Sequence, residues 1–193
     1  MADSDFDDLK AALRDTARSQ RARVASGDRA EAAKQAAEHF LSGVPFAKTD
    51  AIALYWPIRD EIDCKPLLLK LMEAGQTICL PVVVGSDASL VWRVWEPDAP
   101  LFESGFGTLA PGDLAPEAVP DIMVMPLLGF DRAGTRLGYG RGYYDRTIAA
   151  APNRPLLVGY AFSAQELNEI PHAGHDVPLD LIVTEAGVRR FDN

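Results

Sequence analysis

The chain has 193 residues, 48% of them hydrophobic, and 19 Lys and Arg stand against 28 Asp and Glu for a formal net charge of -9. That length suits one domain with a sizeable core of its own, and a pI near 4.8 argues against a general nucleic-acid binder, which presents a basic face. No stretch approaches the roughly 20 apolar residues of a membrane span, the start lacks a signal peptide's basic and apolar regions, and Cys64 and Cys79 have no metal or redox spacing, so a reduced, cytoplasmic setting is expected.

In chain order, Ser4 is placed to cap a first helix running to about Val24, with Asp5, Asp7 and Asp8 favourable in its first turn. Phe6, Leu9, Leu13, Ala17 and Val24 share one stripe of that helix. Lys10, Arg14, Arg18 and Arg21 run along its flank, where charges are usually solvated. Asp28 with Glu31 reads as a capping box for a second helix through Phe40 or Leu41, ended by Gly43 and Pro45. Ala51 to Trp56 reads as a buried strand stopped by Pro57. Ile58 to Asp63 then lies at its carboxyl end, where open α/β sheets bind ligands, and Glu61 is placed to act.

Cys64 to Ala74 predicts a helix with Pro66 in its first turn, and Gln76 to Val84 a second strand. After a turn at Gly85 to Ala88, Ser89 to Trp95 returns antiparallel near a sheet edge. Trp92 and Trp95 suit the core or a pocket wall. Glu96 to Pro120, rich in proline and without periodicity, is expected to be a long loop. The apolar run Ile122 to Phe130 predicts a further buried strand, Pro155 to Phe162 and Leu179 to Thr184 two more, and Val188 to Phe191 a final edge. His172 and His175 lie on a loop without a third ligand at familiar spacing, which favours a hydrogen-bonded histidine beside Asp176 over a zinc site. No Gly-x-Ser-x-Gly elbow or Cys-His pair suggests a covalent nucleophile. Together the elements predict an α/β fold: a single three-layer domain, residues 1–193, with a mixed, mostly parallel central sheet flanked by helices in a Rossmann-like arrangement.

The most informative stretch is Arg136-Leu137-Gly138-Tyr139-Gly140-Arg141-Gly142-Tyr143-Tyr144-Asp145-Arg146. It reads as the loop from the Ile122 to Phe130 strand into a helix. Glycines at alternate positions allow close backbone approach and positive φ, and a helix starting near Gly142 aims free N–H groups and a positive dipole end at the same point. Arg132, Arg136, Arg141 and Arg146 outnumber Asp131 and Asp145 there, a local basic excess in an acidic chain that fits a small anionic ligand. Tyr143 stands where a dinucleotide fingerprint needs its third glycine, and no Gly-Lys-Ser/Thr of a P-loop is present.

Met125 to Asp131, Gly134 and Arg136 to Arg146 resemble the signature of the 5-formyltetrahydrofolate cyclo-ligases, also called methenyltetrahydrofolate synthetases. Lys10, Arg14, Asp60 to Asp63, Val158 to Phe162, His175-Asp176 and Asp180 to Glu185 resemble the same family in the same order. The resemblance implies an enzyme that closes 5-formyltetrahydrofolate to 5,10-methenyltetrahydrofolate with ATP and Mg²⁺, releasing ADP and phosphate through a phosphorylated formyl oxygen. It further implies that Lys10, Arg14, Arg136, Gly138, Gly140, Arg141, Gly142, Tyr143 and Tyr144 hold ATP, with Arg136 and Tyr143 the catalytic candidates. Glu61, Trp56 and Tyr143 would contact folate, and Asp145 and Asp180 would ligate Mg²⁺. Structural alternatives stand beside these roles: caps for the aspartates and Glu61, core packing for Trp56 and Tyr143. The expected partners are the two substrates alone, without nucleic acid or membrane, and the chain is expected to be a monomer or weak homodimer. Ala110 replaces an acidic residue frequent in the family segment that matches Gly107 to Pro111. A paralogue that binds folate and nucleotide without turnover, or with another acceptor, would carry the same residues.

Overall fold

A computed structural model describes residues 3–171 and 176–192, with side chains from residue 8 onward in the first helix. The expectations for Ser4, Asp5, Phe6 and Asp7 as side chains, and for His172 and His175, lie outside the described residues. Helix α1 (Asp3–Ala22) is followed by α2 (Ser26–Gly43), β1 (Ala51–Ala53), α3 (Lys65–Glu73), β2 (Thr77–Val82) and β3 (Val91–Val94). A hairpin of β4 (Leu101–Ser104) and β5 (Thr108–Pro111) precedes β6 (Ile122–Pro126), and a short ribbon of β7 (Gly129–Phe130) and β8 (Arg136–Leu137) precedes α4 (Tyr143–Ala150). The chain then forms β9 (Leu156–Tyr160), a 3-10 turn (Ser163–Gln165), β10 (Leu181–Thr184) and β11 (Gly187–Arg190).

Seven strands form one sheet in the order β11-β10-β9-β6-β1-β2-β3. The five inner strands run parallel, while β11 and β3 pair antiparallel at the two edges. The strand period of two distributes the core across both faces. Ile52, Ile78, Val124 and Val158 pack with Ala33, Ala36 and Phe40 of α2 and Leu67 and Leu71 of α3. Their neighbours Ala53, Cys79, Met123 and Leu157 pack with Ile148 of α4, Phe130 and Trp92. The predicted three-layer, mixed and mostly parallel α/β domain is the observed one. Ala17 of α1 packs with Leu128, Leu137 and Leu167, so α1 docks on the ribbon.

Three expectations are corrected. Helix α2 starts at Ser26, not at a capping box: Ala25 is its N-cap, and Asp28 lies in its first turn. The long loop holds the β4–β5 hairpin, whose tip puts both Phe106 and Gly107 at positive φ, +65 and +81; prolines on a two-stranded ribbon cost no ladder bonds on its outer edge, so they did not preclude strands. The glycine loop does not follow the buried strand directly, because the chain first turns through β7 and β8. Asp131, 3% exposed, builds that ribbon: Oδ1 accepts from the backbone of Ala133 and Thr135, and Oδ2 from Ile170.

Candidate active site

Parallel strands share one direction, so their carboxyl ends meet on one edge of the sheet, and a cleft of about 480 Å³ opens there. Its wall takes Tyr55 and Trp56 after β1, Pro81 and Val83 at the end of β2, and Pro126 at the end of β6. Lys10, Arg14 and the whole of Arg136 to Asp145 line it as well. As the sequence led one to expect, the glycine loop lies at the carboxyl ends of the strands, and it shares the cleft with Glu61.

The glycine loop is shaped by φ. Gly140 has φ +90, and Gly142 has φ +65 as the left-handed N-cap of α4. A Cβ on Gly140 would stand 3.2 Å from the Arg14 guanidinium carbon, so the glycine admits that cation. Arg14 Nε donates to the Gly138 carbonyl at 3.1 Å, and Lys10 Nζ pairs with Asp176 Oδ2 at 2.7 Å. Helix α1 thus delivers two cations to a loop that ends in a helix N-terminus, where the first N–H groups have no partner within the helix.

Arg136 and Asp145 pair directly, Nη2 to Oδ1 at 2.6 Å, with the arginine side chain 5% exposed. Arg136 also lies against the Met125 sulfur and 5.7 Å over the Tyr144 ring. Tyr143 is half-buried, its ring 5.7 Å from Phe106 at the hairpin tip and covered by Arg146 at 5.1 Å. Arg141 covers the other ring of that pair, 5.1 Å from Phe106. Trp56 packs edge-on against Trp95 at 6.0 Å, with Lys65 over it at 5.1 Å. Trp92 is buried in one core cluster, and Trp95 is partly buried against the other.

Glu61 closes a turn in which its own N–H bonds the Ile58 carbonyl and Arg59 takes φ +54, a conformation costly for a residue with a Cβ. The turn is held from several sides. Glu61 Oε2 accepts from Ile58 N at 2.9 Å, Oε1 accepts from the Tyr139 hydroxyl at 2.5 Å, and Asp60 Oδ1 accepts from Arg21 Nη2 at 2.5 Å. Arg29 adds bonds to the Asp60, Arg21 and Val24 carbonyls, tying the turn to the end of α1. Burial pushes the Glu61 pKa above the ordinary carboxylate value, although the Tyr139 hydroxyl, the Ile58 N–H and the Arg21 charge oppose it.

Asp180 is not at this site. It precedes β10, at the amino end of the parallel strands, where both its oxygens bond Arg154 at 2.8 and 2.9 Å and Oδ2 also accepts from Leu157 N at 2.8 Å. The expected metal ligand is thus a clamp between strands. Among the described residues no group of three or more His, Cys, Asp or Glu gathers as a metal cage. Asp145 alone of the two aspartates borders the cleft. One carboxylate still fits Mg²⁺, which binds protein through one or two carboxylates together with substrate phosphates. Ala110 is buried in β5 while Gly105, Phe106 and Thr108 face the cleft. Arg21 and Tyr139 were missed: the helical-wheel flank suggested a solvated Arg21, and only the docking of α1 on the ribbon buries it. Cys64 and Cys79 are buried with their pKa pushed up, Cys79 to about 12, which makes them inert thiols. Among the described residues no helix is long and apolar enough to cross a membrane.

The sequence matches the 5-formyltetrahydrofolate cyclo-ligase family over residues 7–185. It is 31% identical to the 5-formyltetrahydrofolate cyclo-ligase of Haemophilus influenzae, covering 89% of this chain and 95% of that one. The cyclo-ligase of Mycolicibacterium smegmatis is 32% identical over 80% of this chain and 82% of its own. In three dimensions the chain resembles the 5,10-methenyltetrahydrofolate synthetase of Aquifex aeolicus, with a TM-score of 0.83, 30% identity, and coverage of 96% and 94%.

Proposed function

Because this chain belongs to the 5-formyltetrahydrofolate cyclo-ligase family, we propose that it converts 5-formyltetrahydrofolate and ATP to 5,10-methenyltetrahydrofolate, ADP and phosphate. The observation that carries this reading is one cleft that holds a left-handed glycine loop, Arg14, Arg136 and the half-buried Glu61 together. The N-formyl group is an amide whose carbon is a poor electrophile and whose oxygen is a poor leaving group. Attack of the formyl oxygen on the γ-phosphorus expels ADP and converts that oxygen to a phosphate ester. Folate N10 then bonds the formyl carbon, the C–O bond breaks with departure of phosphate, and N10 gives up its proton.

The chain's own work is positioning and charge neutralisation. The N–H groups opening α4, with Gly138, Gly140 and Gly142 beside them, cradle phosphate oxygens, and Lys10, Arg14 and Arg141 surround them. Arg136, buried and pre-aimed by Asp145, opposes the charge that gathers on the transferring group. Tyr143 and Tyr144 wall the nucleotide side, and Tyr143 and Trp56 offer flat apolar faces to folate. Glu61 accepts hydrogen bonds from the N–H edge of the folate ring. Asp145 is the residue that would hold Mg²⁺, which would supply neutralisation of phosphate charge. The test is to mix protein, Mg-ATP and 5-formyltetrahydrofolate and follow the methenyl chromophore, omitting each component in turn. Folate and nucleotide binding without the chromophore would overturn the reading in favour of a non-catalytic paralogue.

A further inference from the structure

Arg21 is 3% exposed at the end of α1, and a guanidinium there needs partners to offset lost hydration. It bonds Asp60 Oδ1 at 2.5 Å through Nη2 and the Tyr139 hydroxyl at 2.8 Å through Nη1. The Tyr139 hydroxyl also contacts Glu61 Oε1 at 2.5 Å. Arginine only donates, so the tyrosine oxygen accepts from Arg21, and its single proton is directed to Glu61. The chain of bonds therefore runs one way, and a hydroxyl that accepts from a cation becomes a stronger donor. Arg21 Nε, buried, has no hydrogen-bond partner among the described residues. An apolar side chain would avoid that cost, so stability alone does not account for the cation.

We infer that Arg21 and Tyr139 are positioning residues that hold Glu61 as an ionised, aimed carboxylate, through a hydrogen-bond chain linking α1, the glycine loop and the Ile58–Glu61 turn. The inference rests on the proposed role of Glu61 in folate recognition. Two anchors, Tyr139 on one oxygen and Ile58 N–H on the other, fix the carboxylate plane, while each oxygen keeps a second lone pair for a ligand. Other titratable groups act on Glu61 from the packed elements: Asp60 on its own turn, Tyr55 after β1, Cys64 at the start of α3 and Tyr144 in α4. Burial raises the pKa of Tyr55, Cys64, Tyr139 and Tyr144, leaving them neutral at neutral pH. The Asp60 carboxyl acts against a second negative charge, so Arg21 is the charge in this set that favours ionised Glu61. Burial opposes the Arg21 cation in turn, and Tyr139 and Asp60 outweigh it, leaving its pKa above the ordinary value.

The test is Tyr139→Phe, which keeps the ring and removes the proton. In the full-length protein, the Glu61 carboxyl is titrated by ¹³C NMR, and kcat/KM for 5-formyltetrahydrofolate is measured across the same pH range. With burial less opposed, the Glu61 titration moves to higher pH, the acid limb of the folate profile moves with it, and KM for ATP stays within about twofold. A shift near one pH unit corresponds to an about tenfold loss of folate kcat/KM on that limb. Arg21→Lys keeps the charge but loses the fork spanning two partners, so it moves the titration in the same direction by less; it carries the test should Tyr139→Phe not fold. An unmoved titration overturns the inference, and a moved titration with a fixed acid limb overturns the positioning role. If the wild-type protein makes no methenyl product, the proposed function fails, while the NMR titration still decides whether the hydrogen-bond chain sets the charge of Glu61.

Discussion

Two arginine–aspartate pairs stand at opposite ends of the sheet and serve different purposes. Arg136 and Asp145 meet at 2.6 Å at the carboxyl ends, the arginine 5% exposed and both lining the cleft. Arg154 and Asp180 meet at 2.8 and 2.9 Å before β9 and β10, the arginine 50% exposed. The second pair is chemically complete, since Asp180 also accepts the Leu157 N–H and stitches two strands. The first is poised: an oxyanion in the cleft competes with Asp145 for Arg136, and a cation competes with Arg136 for Asp145. Of the three non-glycine residues with positive φ, Arg59 and Phe106 border the cleft while Asp98 lies away from it, and Gly140 and Gly142 add two left-handed glycines to the cleft wall.

The largest contrast should come from the arginines. Arg136→Ala is expected to lower methenyl formation by about 10² to 10³ at every magnesium concentration, the usual cost of losing one donor to developing charge. Arg154→Ala should leave turnover within about twofold. Asp145→Asn tests the metal assignment on the same axis, since its defect should be partly relieved by more Mg²⁺ or by Mn²⁺. Methenyl formation measured against metal concentration checks all three, with a melting curve for each. Wild-type metal dependence in folded Asp145→Asn would reduce the aspartate to a partner of Arg136.

Next in size is Glu61→Gln, which should cost about 10- to 10²-fold in folate kcat/KM, the worth of a hydrogen bond to a charged group, with ATP affinity close to normal. Equal losses for both substrates would mark Glu61 as structural. Its pH dependence has a fixed sign. The folded pKa lies above the ordinary value, so the stability tied to the protonated carboxyl is fully present below the unfolded pKa and is lost as pH rises through the folded one. The wild type should therefore lose stability relative to Glu61→Gln over that window, read as the difference between their melting temperatures at each pH. Asp180→Asn, by contrast, should leave activity unchanged and remove about 0.5 to 1 kcal/mol of stability.

The layers and strand directions were legible because they rest on short-range signals: period-two burial in the inner strands, Gly43 and Pro57 as stops, and the turn at Gly85 to Ala88. The glycine loop, Arg136, Asp145 and Glu61 were legible because parallel strands place their carboxyl ends together. What escaped depends on long-range packing. Asp180, just before β10, and Asp145, in the first turn of α4, are alike as aspartates at the start of an element, and only the direction of the strands separates a clamp from a cleft residue. Arg21 looked like a flank charge until α1 docked on a ribbon that two-residue strands are too short to announce. Phe106 sat in a proline-rich stretch with no period to report a hairpin.

The smallest contrast concerns two glycines with similar backbones. Gly75, φ +75, ends α3 with open space where a Cβ would go, and Gly140, φ +90, has the Arg14 guanidinium 3.2 Å from that position. An alanine at either site pays the left-handed penalty of about 1 to 2 kcal/mol, so melting curves should report similar losses for Gly75→Ala and Gly140→Ala. Function should separate them. The new methyl on Gly140 displaces the guanidinium by a few tenths of an ångström, because the contact is with the far end of a flexible side chain, and this disturbs the Arg14 bond to the Gly138 carbonyl. Arg14 is read as a phosphate contact, so KM for ATP should rise several-fold in Gly140→Ala and stay at the wild-type value in Gly75→Ala, with KM for folate unchanged in both. A rise in folate KM in Gly140→Ala without a change for ATP would move Arg14 to the folate side of the cleft, and with it the boundary between the two substrates.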